Sequence, residues 1–221
     1  MSEVERPVNR SYTLRGARAT LAQEVAYARL WPIYGLEPRG VIDAQQIFPT
    51  SAVCIMEIGS GMGEATAKIA AHFPEVGFLV VEVHKPGIGA LMNLCDRAGV
   101  RNVKIIEEDV HLILRDSTPD LSLDAIHLFF PDPWPKVRHR KRRIVQQPFL
   151  EMIHSKIKAG GYIHIATDWQ EYARSIQQIV SASGLFTGGV IDRPEWRPIS
   201  KFEAQGIRKG HIVTDMKYFK S

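Results

Sequence analysis

From residue 52 onward, short apolar runs alternate with longer stretches whose apolar positions recur at helical spacing. The runs at 52–58, 77–83, 103–106, 123–130, 162–167 and 211–219 read as strands, and the stretches 63–72, 86–98, 109–115 and 147–158 as helices. Turn residues mark the joins: Pro74 follows the first helix, Gly99 ends the second, and Gly160-Gly161 close the fourth. Asp168 is expected to cap a further helix running to Ser183. Upstream, 17–30 has Ala, Leu and Val at helical spacing and is expected to stop at Trp31-Pro32, because a proline disfavours helix in the residue before it. Residues 34–50, with Gly35, Pro38, Gly40 and Pro49, read as a connector.

The core runs lack strict apolar/polar alternation, so both faces of each strand are expected to be covered. Strands of that kind separated by helices predict βαβ units, an α/β fold with a mostly parallel sheet and helices on both faces. Residues 1–50 form an N-terminal helical extension and connector, and 51–221 one α/β domain. A ligand should lie beyond the C-terminal strand ends, near the switch point. There are no internal repeats. Residues 1–16 are polar, with Arg6, Arg10 and Arg15, and are expected to be mobile.

Several classes drop out. No window approaches the ~18 apolar residues of a membrane helix, and the opening MSEVERPVNRS lacks a signal peptide's apolar core. Cys54 and Cys95 sit in apolar segments without a CxxC or Cys/His cluster, so no metal and no disulfide framework is expected. The expectation is a cytoplasmic protein.

Charge is unevenly placed. The chain carries 28 Lys+Arg and 24 Asp+Glu, a net of +4. The stretch 129–143, FFPDPWPKVRHRKRR, holds six of the basic residues and one acid; without it 22 basic residues face 23 acidic ones. A local excess is the footprint of a polyanion-binding surface. Five charges in six residues, Arg138 to Arg143, without a compensating acid, argue against an ordinary solvated helix face. Just upstream, Asp132 lies among prolines and beside Trp134, which suggests chemistry on a nucleic-acid base.

Glu57-Ile58-Gly59-Ser60-Gly61-Met62-Gly63 puts a glycine turn between the first core strand and its helix. The dinucleotide fingerprint would need glycine at position 64, which is Glu64, so the turn alone is a weak signal. The strand ends say more: Glu57, Glu82, Asp109 and Asp132 would ring one crevice. Four carboxylates repel a pyrophosphate and suit a cationic nucleoside such as S-adenosylmethionine, with Glu82 placed to accept from both ribose hydroxyls. The alternative is that these acids cap the helices that follow, a role that Asp109 fits best.

With EIGSGMG at 57–63, EVH at 82–84, FFPDPWPKxRHxKRR at 129–143, ATDW at 166–169 and SKFE at 200–203, the chain resembles the bacterial tRNA (guanine-N7-)-methyltransferases of the class I, Rossmann-like type. The resemblance runs from about residue 50 to the end. The proline-rich motif with its basic tail is very specific and the glycine loop is not. It implies methylation of a guanine in the tRNA variable loop, position 46. It also implies S-adenosyl-L-methionine held by Glu57, Gly59, Gly61, Gly63, Glu82, Asp109 and Asp132, with Asp132 also the proposed catalytic residue. Lys136, Asp168, Ser200, Lys201, Phe202 and Glu203 would contact the substrate, and Arg138, His139, Arg140, Lys141, Arg142 and Arg143 the RNA. Relatives of this kind are monomers or homodimers. Two positions depart from the family: Ser200 stands where threonine is usual, and 16–20 reads GARAT where the family often has GRMT.

The chemistry is compatible. Guanine N7 is already a lone-pair nucleophile, so transfer needs alignment and exclusion of water rather than a base. No Ser/His/Asp or Cys/His constellation stands at these strand ends, and His127, inside an apolar run, reads as a core histidine. Asp168, Glu203 or Asp132 could accept from the guanine N1 and N2 edge. Trp134, Trp169 or Phe202 could stack on the base, or belong to the core. Three other readings compete. One is a methyltransferase acting on an exocyclic amine, since PDPW is similar to the (D/N)PP(Y/F) motif. The others are a non-catalytic RNA-binding protein and, last, an NAD-dependent dehydrogenase.

Overall fold

The structure, a computed structural model, describes Tyr12, residues 20–38 and residues 40–221. In chain order the elements are α1 (Leu21–Tyr34), α2 (Ala44–Ile47), β1 (Val53–Ile58), α3 (Glu64–His72), β2 (Val76–Val81), α4 (Lys85–Ala98), β3 (Val103–Ile106), α5 (Val110–Leu112), β4 (Leu123–Phe129), α6 (Gln147–Lys156), β5 (Ile157–Thr167), α7 (Gln170–Ser183), β6 (Phe186–Ile191), α8 (Lys201–Arg208) and β7 (Thr214–Lys220). A π-type turn, Ile113–Ser117, extends α5, and a 3-10 segment, Val137–Arg142, follows β4.

The strands form one sheet in the order β3-β2-β1-β4-β5-β7-β6. Strands β1 to β5 pair in parallel, and β7 runs antiparallel to both β5 and β6. The order reverses between β1 and β4, which opens a crevice at their C-terminal ends. The absence of alternation has the expected cause. Every residue of β2 is buried, with α1, α3 and α4 covering one face of the sheet through Leu30, Ile69 and Leu91. The other face packs on α6 and α7 through Phe149, Ile153, Tyr172 and Ile176. Cys54 and Cys95 are buried and unpaired, and burial pushes both thiols up to about 12, as befits packing groups.

The first helix does not stop at Trp31-Pro32 as expected. It runs on to Tyr34, where Tyr27 stacks on Trp31 at 4.8 Å and the Tyr34 hydroxyl donates to the Val100 carbonyl at 2.9 Å. Proline removes one hydrogen bond in this last turn, while docking against α4 and β3 holds the turn in place. The start of the predicted helix, 17–19, and the polar segment 1–16 apart from Tyr12 lie outside the described residues. Helix α6 ends two residues earlier than read, and Gly160-Gly161 belong to β5, where the β4–β5 register shifts. A side chain at Gly161 would meet the Asp124 carbonyl at 2.6 Å. Asp168 does not cap α7. Trp169 occupies that position, and the Asp168 carboxylate accepts from His211 Nδ1 at 2.8 Å instead. Elements α2, β6 and α8 were not legible as elements in the sequence.

Candidate active site

At the switch point lies an open cleft of about 260 Å3. Its floor is apolar, from Ile58, Val81, Val110, Leu128 and Ile144, and its polar wall holds Glu82, Glu108 and Asp132. Among the described residues no lysine or arginine lines it. A low-dielectric cleft with three carboxylates and no such cation favours a positively charged ligand and opposes a phosphate.

The turn from β1 into α3 shapes one side. Gly59 and Gly61 take φ of 76° and 57°, the left-handed region, and an added Cβ at either would meet nothing within 4 Å. Their backbone therefore faces open space, as close approach of a ligand requires. Gly63, at φ 76°, serves packing: a Cβ there would sit 2.5 Å from that of Leu91. Glu82 locks the turn to β2, accepting from Gly61 N at 2.8 Å, Val83 N at 2.7 Å and His84 N at 2.9 Å.

The expected ring of acids is only partly on the cleft surface. Glu57 is buried behind the turn and accepts from the Thr66 hydroxyl at 3.0 Å. Burial first, and the neighbouring Glu82 charge, raise its carboxyl to about 7 against the Thr66 hydrogen bond. Asp109 caps α5, accepting from His111 N at 2.9 Å, and its neighbour Glu108 faces the cleft. Tyr12 also lines the cleft; no signal in the N-terminal sequence marked it.

Asp132 sits on a turn with unusual backbone. Phe130 and Trp134, two residues to either side, have φ of 53° and 41°. Left-handed conformation in a non-glycine residue costs on the order of 1–3 kcal/mol and persists only when neighbours impose it. Here they do: Phe130 N donates to the Ala166 carbonyl at 2.7 Å, Arg143 Nε donates to the Pro133 carbonyl at 2.8 Å, and the Arg142 guanidinium stacks over the Trp134 ring at 4.9 Å. The basic run thus folds back on the Pro-Asp-Pro-Trp turn that precedes it.

That contact divides the run. Lys136, Arg138, Lys141 and Arg142 are exposed. Arg143 was expected among the RNA-contacting residues, but it is buried, paired with Glu171 and packed over the Tyr172 ring at 4.6 Å. Its guanidinium shapes the turn and does not face solvent. Arg140 Nη1 lies 3.4 Å from Glu171 as well.

The Ser200–Glu203 segment also divides. Ser200 caps α8, accepting from Glu203 N at 3.1 Å. Lys201 pairs with Glu64 at 2.9 Å. Phe202 is 58% exposed and meets the Phe130 ring edge-on at 5.7 Å. Glu203, expected at the substrate edge, is buried, and both its oxygens accept from Arg197. Arg197 also binds Asp215 twice, at 2.7 Å each, and Asp215 is 2.8 Å from His164 Nε2. Nothing in the local pattern around Arg197 announced this network. Core-facing His127 stacks on Trp196 at 5.4 Å, and burial depresses its imidazole to about 3.

Comparison with known proteins supports the class first. A family described as "Putative methyltransferase" matches residues 51–216. Among solved structures, the 16S rRNA methyltransferase KamB superimposes with a TM-score of 0.62 at 12% identity, over 86% of this chain and 98% of its own. The aminoglycoside resistance methyltransferase NpmB1 gives 0.53 at 15%, over 80% and 91%. The fold is that of a Rossmann-like class I methyltransferase. A tRNA (guanine-N(7)-)-methyltransferase of Nitrosomonas eutropha is 44% identical over 97% of this chain and 98% of its own length. One of Streptomyces avermitilis is 42% identical over 98% and 77%. The chain belongs to the tRNA (guanine-N(7)-)-methyltransferase family.

Among the described residues no helix is long and apolar enough to cross a membrane.

Proposed function

We propose that this protein transfers a methyl group from S-adenosyl-L-methionine to N7 of a guanine in tRNA, the variable-loop guanine at position 46. The observation that carries the reading is an acid-walled cleft, lined among the described residues by no lysine or arginine, joined through the Asp132 turn to an exposed basic segment. The cleft fits the methyl donor: Gly59 and Gly61 leave room for it, Glu82 offers acceptors to a ribose diol, and Asp132 and Glu108 favour its positive charge. When bound, S-adenosylmethionine supplies an electrophilic methyl carbon.

The remaining work falls to the chain. Asp132, held on a strained turn, sits where the cleft meets the substrate side, and orients the reactants without removing a proton. Phe202 offers an exposed ring on which an unstacked base can lie, and Lys136 and Asp168 are the further substrate contacts. Arg138, His139, Arg140, Lys141 and Arg142 hold phosphates, which fix the register of the RNA without reading its sequence.

The test is incubation of bulk tRNA with the protein and methyl-labelled S-adenosylmethionine, followed by nucleoside analysis. Label in 7-methylguanosine is expected. Label in an N2- or N6-methylated nucleoside would move the protein to exocyclic-amine chemistry, and no transfer would overturn the reading.

A further inference from the structure

The antiparallel turn-back of β7 brings a second cationic segment to the cleft's end of the sheet. Thr214 at the start of β7 pairs with Thr167 at the end of β5, so the residues before it lie beyond the same strand ends as Asp132. Helix α8 leads there from Phe202, and about six residues at 1.5 Å each put Arg208 roughly 9 Å farther along the helix axis. Arg208, Lys209 and His211 are all exposed.

Two contacts place this segment against the N-terminus of α7. Gln170 Nε2 donates to the Ile212 carbonyl at 2.7 Å and to the Thr214 hydroxyl at 3.1 Å. The next residue, Glu171, takes Arg140 and Arg143 from the other side. Adjacent residues of one helix therefore hold the two basic segments together. The carboxylates at this edge are already engaged within the protein: Glu171 by those arginines, Asp168 by His211, and Glu203 by Arg197. Among the described residues Arg208 and Lys209 take part in no ion pair, so the charge they present is outward and uncompensated.

We propose that Arg208 and Lys209 form a second phosphate-contacting patch, continuous around the N-terminus of α7 with the basic segment after β4, so that tRNA backbone is gripped on both flanks of the base-binding edge. The partner is a phosphodiester chain, because the patch joins a cationic surface on one side and the exposed Phe202 ring on the other. This rests on the tRNA reading above. The alternative for Arg208 and Lys209 is favourable interaction with the C-terminal end of the α8 dipole.

The experiment compares wild type, Arg208→Ala/Lys209→Ala, and Arg140→Ala/Lys141→Ala/Arg142→Ala for tRNA binding across a range of salt, with thermal melting as the control for folding. Two lost phosphate contacts lower the slope of log K against log salt by ~1.4–1.8. That fall, with the melting temperature unchanged and the KM for tRNA raised, is the expected result. An unchanged slope for Arg208→Ala/Lys209→Ala, while the other variant flattens, overturns the patch and leaves the methyltransferase reading standing. Wild type that binds tRNA without forming 7-methylguanosine overturns the function, and the slopes still decide the patch. Wild type without tRNA affinity overturns both.

Discussion

Arg197 donates to both carboxylate oxygens of Glu203, at 2.9 and 3.0 Å, and the two side chains are each 1% exposed. The guanidinium is also shared with Asp215 and lies 5.8 and 5.7 Å from the Phe129 and Phe130 rings. One buried cation thereby ties α8 to β7 and to the turn that carries Asp132. Removing one partner of a buried pair leaves an uncompensated charge, at about 3–5 kcal/mol. Glu203→Ala should lose about 3 kcal/mol in urea unfolding, because Asp215 still compensates Arg197. Unchanged stability with loss of tRNA binding would return Glu203 to the substrate edge.

Glu57 sets a pH dependence of stability. Burial pushes its carboxyl in the folded protein up to about 7 from the usual 4.5. Below 4.5 both folded and unfolded forms are protonated and the contribution is intact. Between 4.5 and 7 the unfolded chain ionises first, so stability falls as pH rises, by on the order of 3 kcal/mol. Glu57→Gln should remove this decline, seen as a variant-minus-wild-type difference that grows from pH 4.5 to 7. A difference flat across that window would mean that Glu57 is ionised in the folded protein.

His127 acts on the other side. Its imidazole is depressed to about 3 from 6.5, so the unfolded chain takes up a proton first and stability falls as pH drops from 6.5 towards 3. Among the described residues neither ring nitrogen has a hydrogen-bond partner. His127→Phe, which keeps a ring against Trp196, is expected to lose less stability than wild type between pH 6.5 and 4. Equal acid sensitivity would point to another group.

Within the basic run the residues should separate. Arg140→Ala/Lys141→Ala/Arg142→Ala should flatten the salt dependence of tRNA binding by ~0.7–0.9 per lost phosphate contact. Arg143→Ala should leave the slope unchanged and cost about 2–3 kcal/mol, because it removes a buried guanidinium and its part-buried hydrogen bonds to the Pro133 carbonyl and Glu171. A slope change without destabilisation would place Arg143 on the RNA.

Asp132→Ala should abolish turnover while tRNA affinity stays nearly intact, as measured by single-turnover transfer and filter binding. Strong loss of RNA binding would make the side chain a structural part of its turn.

The sequence alone determined the α/β architecture, because buried parallel strands must be apolar on both faces and the helices between them must carry a 3.6-residue period. It also located the cleft, since glycines and acids follow the strands. What it did not carry was direction. Glu57 and Asp109 are acids at strand ends like Glu82 and Asp132, yet one turns into the core and the other caps a helix. Arg143 continues a cationic run, yet its side chain folds back under the turn. Strand β6, with Gly188-Gly189 and an exposed edge, has no periodicity to betray it, and is a strand because β7 pairs with it. The Arg197 network joins residues 164, 197, 203 and 215, which only the β5–β7–α8 packing brings together. Periodicity records which faces are buried, a local property, whereas the destination of a polar side chain depends on partners distant in sequence, and tertiary structure alone decides it.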